Sequence, residues 1–185
     1  MLGERFFDVL GAARAGEERA FSLLYRDLNA SLLRYFAALA PSDAEDLASE
    51  TWIAAARGLG SFEGDEGGFR GWIFTIAHRR LVQHWRHAGR RPVQAVDPGT
   101  FDTLLGAADT EGEALDAAEG AAAARALVAQ LSPDQAQVVL LRVLGGLSVD
   151  EVATAIGKRP GTVRVLQHRA LRRLAGRLSL ERVTQ

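Results

Sequence analysis

The chain has 185 residues, a formal net charge of -1 and 48% hydrophobic residues, which suits one ordinary domain or two small ones with buried cores and leaves out a wholly disordered or fibrous protein. It contains no cysteine, so disulfide scaffolds, thiolate metal sites and cysteine nucleophiles are excluded. No apolar run approaches the roughly 18 residues of a membrane span, and acids interrupt the opening residues where a signal peptide is apolar. No membrane insertion and a cytoplasmic location are therefore expected.

In chain order, the stretch before Gly16 is compatible with either a helix or a tail. From Glu17 to Ala40, the apolar residues Phe21, Leu24, Tyr25, Leu28, Leu32, Tyr35, Phe36 and Leu39 recur three or four apart, the spacing of one helix face. Pro41 closes that helix. Ser42 and Asp43 are expected to cap a second one reaching about Arg57, with Asp43, Glu45 and Asp46 at the positive end of its dipole. Gly58, Gly60, Gly64, Gly67 and Gly68 mark a loop, after which Phe69 to His87 is helical through Trp72, Ile73, Ile76, Ala77, Leu81 and Trp85.

Residues from Arg90 to about Glu119 are acidic, rich in Gly and Ala and without a period, as in a flexible linker, and an alanine-rich helix is expected near 119–130. Ser132-Pro133-Asp134 opens a helix through Ala136, Val139, Leu140, Val143 and Leu144, which Gly145-Gly146 stops. Ser148, with Glu151 three residues on, forms a capping box for Val149 to Ile156, and Gly157 ends that helix. Pro160-Gly161-Thr162 begins a last one, with Val163, Leu166, Ala170, Leu171 and Leu174 expected inward. No segment alternates as a strand does. The predicted fold is all-α: two small helical domains, 1–92 and 119–185, joined by a flexible acidic linker at 93–118, the second containing a helix-turn-helix.

Charge is unevenly distributed along the chain. Residues 69–92 carry Arg70, Arg79, Arg80, Arg86, Arg90 and Arg91 and no acid, and residues 158–185 carry Lys158 and seven arginines against Glu181 alone. Both blocks are candidate phosphate-binding surfaces. In the second, Leu147–Leu174 has the capped helix, Gly-containing turn and basic second helix of a helix-turn-helix. That motif turns Arg164, Val165, His168 and Arg169 to base edges and leaves Lys158, Arg159, Thr162, Arg172 and Arg173 for phosphates. A solvated basic face on a plain helical hairpin is the alternative. In the first block, Trp72 and Trp85 beside arginines suit stacking on unpaired bases, although both rings fit a core equally well.

His84 and His87 share a helix face that His78 lies off, and the helix supplies no acid, so neither a metal nor another cofactor is expected. No phosphate loop, nucleophile elbow or paired-histidine zinc motif is present, and no enzymatic activity is expected.

DAEDLASETWIAAARGLGSF (43–62), FRGWIFTIAHRRLVQHWRHAGRRP (69–92) and LSPDQAQVVLLRVLGGLSVDEVATAIGKRPGTVRVLQHRALRRL (131–174) resemble, in order, the signature segments of the extracytoplasmic-function sigma factors. The helix FSLLYRDLNASLLRYF (21–36) extends the resemblance to most of the chain. It implies a transcription initiation factor that binds core RNA polymerase, at its largest-subunit clamp and its flap, and promoter DNA. Asp46, Ser49 and Glu50 would meet the clamp coiled coil. The loop Ser61–Gly68, with Phe62, would hold a base flipped from the melted strand. The helix carrying Arg70, Trp72, Arg79, Arg80, Gln83 and Arg86 would hold the minus-10 element, and the helix-turn-helix would read minus-35. The resemblance also implies an anti-sigma partner. A stand-alone helix-turn-helix regulator is the runner-up, and a helical adaptor that binds only proteins comes next.

Overall fold

A computed structural model of the chain describes residues 2–87, Gly89 and 128–183, with side chains as far as Ala175. After a 3-10 turn at Gly3–Arg5 come α1 (Phe6–Arg14), α2 (Glu18–Leu39), α3 (Ala44–Gly58) and α4 (Glu66–His87), with further 3-10 turns at Pro41–Asp43 and Leu59–Ser61. The second unit holds α5 (Pro133–Val143), α6 (Val149–Ile156) and α7 (Pro160–Val183), and the described residues include no strand. The all-α expectation is met. The linker at 93–118 and most of the helix expected near 119–130 lie outside the described residues.

The choice between helix and tail before Gly16 is settled as helix. Phe6, Val9, Leu10 and Ala13 fall three or four apart and are buried, so α1 closes the bundle formed by α2, α3 and α4. In α2 the periodic residues Leu24, Leu28, Leu32, Tyr35 and Phe36 form the buried stripe. Tyr25 departs from it and lies exposed, its ring 5.1 Å from that of Trp52. Trp52 is itself buried and donates its indole N–H to Asn29 Oδ1 at 3.1 Å.

Asp43 does not cap α3. The chain there makes a 3-10 turn, and the Asp43 carboxylate turns to His84 Nε2 of α4 at 3.5 Å. α4 begins at Glu66 rather than Phe69, because Asp65 Oδ1 accepts the Gly68 N–H at 2.7 Å and offsets the poor helix propensity of Gly67 and Gly68.

Two of the expected helix starts in the second unit, at Ser132 and Ser148, are capping boxes. Ser132 Oγ accepts from the Gln135 N–H and the Gln135 side chain accepts from the Ser132 N–H; Ser148 and Glu151 repeat the exchange. Gly157, at φ 65°, supplies the left-handed residue that ends α6. α7 buries Val163 and Ala170, but Leu171, expected inward, is 51% exposed, and Val143 at the end of α5 is 72% exposed. Among the described residues α7 packs chiefly on α5 and α6, so its covered stripe is narrower than an apolar count suggests.

The two units share one continuous buried cluster, which runs from α1–α4 into Val138, Leu141, Leu147, Val152 and Val163. Arg70 pairs with Asp27 at 3.6 Å and donates to the Leu144 carbonyl at 3.4 Å, while a Cβ on Gly71 would come within 3.1 Å of Glu151 Oε1.

One polar pair sits inside the four-helix core: Tyr35 Oη and His78 Nδ1 share a hydrogen bond of 3.1 Å between α2 and α4. Burial pushes the Tyr35 phenol up and holds the His78 imidazole down at about 4, so both are neutral near pH 7. The folded value of His78 lies below the unfolded value of about 6.5, so unfolding takes up a proton in between. Its stabilising contribution is complete above the unfolded value and is lost as the pH falls toward the folded one. Lowering the pH from 7.5 to 5 is expected to remove about 2 kcal/mol of stability through this residue. Urea unfolding of the wild type and of His78→Gln at both pH values checks this. Equal pH dependence in the two proteins would assign the acid sensitivity elsewhere.

Candidate nucleic-acid interface

Four surfaces carry the residues singled out in the sequence. The first is the outer face of α3. Its inner side buries Ala44, Leu47, Ala48, Thr51, Trp52 and Ala55, which leaves Asp46, Ser49 and Glu50 exposed together. One turn further on, Ile53 is 52% exposed and adds an apolar centre to this polar face. Ile53 was not among the candidates; its sequence signal is an isoleucine three residues beyond Glu50, on the polar side of an amphipathic helix. Glu50 Oε2 also lies 4.0 Å from Arg80 Nη1, so the acidic row of α3 borders the basic row of α4.

On α4, residues about 100° apart place Trp72, Arg79, Gln83 and Arg86 toward one side. Arg79, Gln83 and Arg86 are exposed, and Trp72 is partly buried. Arg80 flanks them on the α3 side. Arg70 falls on roughly the opposite side of the helix, where it is engaged with Asp27 and Leu144. The structure thus gathers the remaining α4 candidates and leaves Arg70 out. Trp85 is partly buried and packs against the core. His78 is buried, His84 faces Asp43, and His87 is exposed, so the three histidines do not converge.

The loop before α4 is built over an aromatic floor. Phe62 is only 7% exposed, with its ring 5.4 Å from Phe69 and 5.1 Å from Trp72. Gly64 crosses above it at φ 148°, where a Cβ would lie 2.9 Å from Phe62 Cζ, so both the backbone angle and the close approach require glycine. Ser61, Glu63, Gly64, Asp65 and Gly67 form the exposed rim. Phe62 and Trp72 therefore shape this loop from beneath.

In the second unit, α6 and α7 meet across the turn Gly157-Lys158-Arg159, closed by a hydrogen bond from the Lys158 N–H to the Ala153 carbonyl at 2.9 Å. Val152, Ala153 and Val163 pin the two helices together, which leaves Arg164, Val165, His168 and Arg169 exposed on the first turns of α7. Arg159, Thr162, Arg172 and Arg173 are exposed around them. Lys158 Nζ instead reaches Asp134 Oδ2 of α5 at 2.9 Å. Arg142 braces the preceding turn by donating to the Leu147 carbonyl. This is a helix-turn-helix whose second helix leaves its outer face exposed.

Residues 21–91 match the family described as Sigma-70 region 2, and residues 121–174 match Sigma-70, region 4. SigD of Mycobacterium tuberculosis, an ECF RNA polymerase sigma factor, is 31% identical over 94% of this chain and 84% of its own length. The chain belongs to the extracytoplasmic-function sigma factors. BldN of Streptomyces coelicolor, another ECF RNA polymerase sigma factor, is 34% identical over 92% of this chain, which spans 65% of the length of that relative. The fold is also that of a solved chain, CnrH in complex with the cytosolic domain of CnrY, with a TM-score of 0.61 at 21% identity over 93% of this chain and 96% of that one. In this sigma factor, the chain from Phe21 of α2 to the end of α4 lies within the region 2 match and α5 to Leu174 of α7 within the region 4 match, whereas α1 lies outside both.

Proposed function

We propose that this sigma factor binds core RNA polymerase through the outer face of α3, reads the minus-35 element with the start of α7, and holds the melted minus-10 strand on α4 and the loop before it. The observation that carries this reading is the simultaneous exposure of all three surfaces, each built on a packed helix. Asp46, Ser49, Glu50 and Ile53 form a small polar face around an apolar centre, suited to docking on a helical surface of the clamp. Arg164, Val165, His168 and Arg169 project as base-reading side chains do, with arginines on either side for phosphates. Trp72, Arg79, Arg80, Gln83 and Arg86 combine aromatic and cationic groups in the way single-strand binders do.

The role is recognition, with nucleotide chemistry left to the polymerase, and the place of work is the cytoplasm. The second unit would also meet the flap. An anti-sigma protein that covers these surfaces is the proposed regulator, in keeping with CnrH, solved with the cytosolic domain of CnrY. Elements about 25 base pairs apart lie on the order of 80 Å apart along B-DNA. The two units can reach both only after the shared buried cluster and the Arg70–Leu144 hydrogen bond open.

The test is to add the purified protein to sigma-free bacterial core polymerase and sequence the transcripts made from a library of DNA templates. Initiation from a defined promoter class is the expected result. Failure to bind core, with tight binding to duplex operators by the protein alone, would move the assignment to a stand-alone regulator.

A further inference from the structure

The loop Leu59–Glu66 is held at both ends by the N-terminal segment of the chain. At its start, Arg14 at the end of α1 donates Nε–H to the Leu59 carbonyl at 3.2 Å. At its far end, the Glu66 carboxylate accepts two backbone N–H groups, from Leu2 at 2.5 Å on Oε1 and from Gly3 at 3.1 Å on Oε2. Between these anchors, Phe6 is buried with its ring 5.8 Å from that of Phe69, the residue on which Phe62 packs. Within the loop, the Phe62 N–H also donates to the Leu59 carbonyl at 3.3 Å, closing the turn beside the Arg14 tie. The hydrogen bonds from Ser61 Oγ to the Gly58 carbonyl and from the Gly68 N–H to Asp65 Oδ1 likewise each close a single turn.

We infer that residues 2–14 act as a brace for the base-capturing loop, with Glu66 and Arg14 as positioning residues that act through loop shape and not by touching DNA. The inference rests on the proposed role of the loop in holding an unpaired base. A loop containing Gly60, Gly64, Gly67 and Gly68 has many conformations to lose when a base enters. Anchoring both ends to the N-terminal segment, itself packed through Phe6, removes much of that freedom beforehand, and preorganisation of this kind appears as affinity for the captured base. Glu66 suits the task because a carboxylate accepting two N–H groups makes charge-assisted bonds, stronger than neutral ones. The bracing side, Leu2, Gly3 and α1 with Arg14, lies outside the stretches matched to the sigma regions, whereas the braced side, Leu59 and Glu66, lies within the region 2 match.

The test uses holoenzyme reconstituted with the full-length protein and a single-stranded oligonucleotide carrying the minus-10 element that the transcript sequencing identifies. A set of oligonucleotides, each with one position made abasic, is bound in parallel. Wild-type holoenzyme is expected to bind the intact strand much more tightly than the one lacking the captured base. Glu66→Ala and, separately, Arg14→Ala should each shrink that ratio roughly ten-fold, the size expected from losing charge-assisted hydrogen bonds, with core affinity kept within about two-fold. Glu66→Gln, which keeps one good acceptor oxygen, should fall between. A variant that merely destabilises the fold would weaken intact and abasic strands alike, and an unchanged ratio in both variants overturns the brace. A wild type that does not distinguish the strands overturns the base-holding loop itself, and the brace with it.

Discussion

Glu50→Arg is expected to abolish selective initiation while leaving the protein folded. Glu50 sits at the middle of the exposed α3 face between Asp46 and Ile53, with its side chain 58% exposed, so the core does not depend on it. Its ion pair with Arg80, at 4.0 Å, is long and solvated, and such pairs contribute little to stability. At a protein interface the balance differs, because reversing a charge brings like charges together where water is excluded. Changes of that kind cost about 2–5 kcal/mol, on the order of 30- to 4000-fold in affinity. Titrating labelled wild type and variant with core polymerase measures the loss directly, and circular dichroism checks the fold. Core affinity within three-fold of wild type would remove α3 from the docking surface.

The second large effect is expected in the second unit. Replacing Arg164 and Arg169 together by alanine should lower minus-35-dependent transcription on the order of 100-fold, because a well-placed arginine–base pair discriminates by about 1–3 kcal/mol and two are removed. Both side chains are exposed on a helix pinned by Val163 and Ala170, so the fold has no need of them. The double variant should bind core polymerase and single-stranded minus-10 DNA as the wild type does. A uniform drop on all templates, whatever their upstream sequence, would assign both arginines to phosphates. Lys158 offers a contrast. Its pairing with Asp134 has to be given up before it can meet DNA, so it contributes less than an unpaired cation.

Much of this architecture was legible in the residues. The stripes of α2 and α4, the Ser148–Glu151 capping box and the Gly157 stop are encoded within one or two helical turns. Local chemistry of that sort survives into the fold unchanged. The four base-facing candidates of α7 were legible for the same reason: the turn chemistry sets where the helix begins, and the 3.6-residue period then decides which positions share a face. The order of segments identified the family before any coordinates did.

Other features depended on neighbours far away in the chain. Arg70 belongs to the basic block by composition, but its orientation is decided by Asp27 and by Leu144, 74 residues away. Tyr25 and Leu171 fit their helices' apolar periods, yet both stay exposed among the described residues, Tyr25 with one ring neighbour, Trp52. The Asp43 cap gave way to His84 once α3 and α4 lay side by side. Glu66 took its partners from the opening residues, 64 positions earlier. Sequence alone determined most of the helices, the ends fixed by the Ser132 and Ser148 caps and by Gly157, and the charge each helix carries, because those follow from short-range hydrogen bonding and periodicity. Tertiary structure decided which charged side chains remain free for a partner and which are used inside the molecule, because that depends on which surfaces meet when the helices pack.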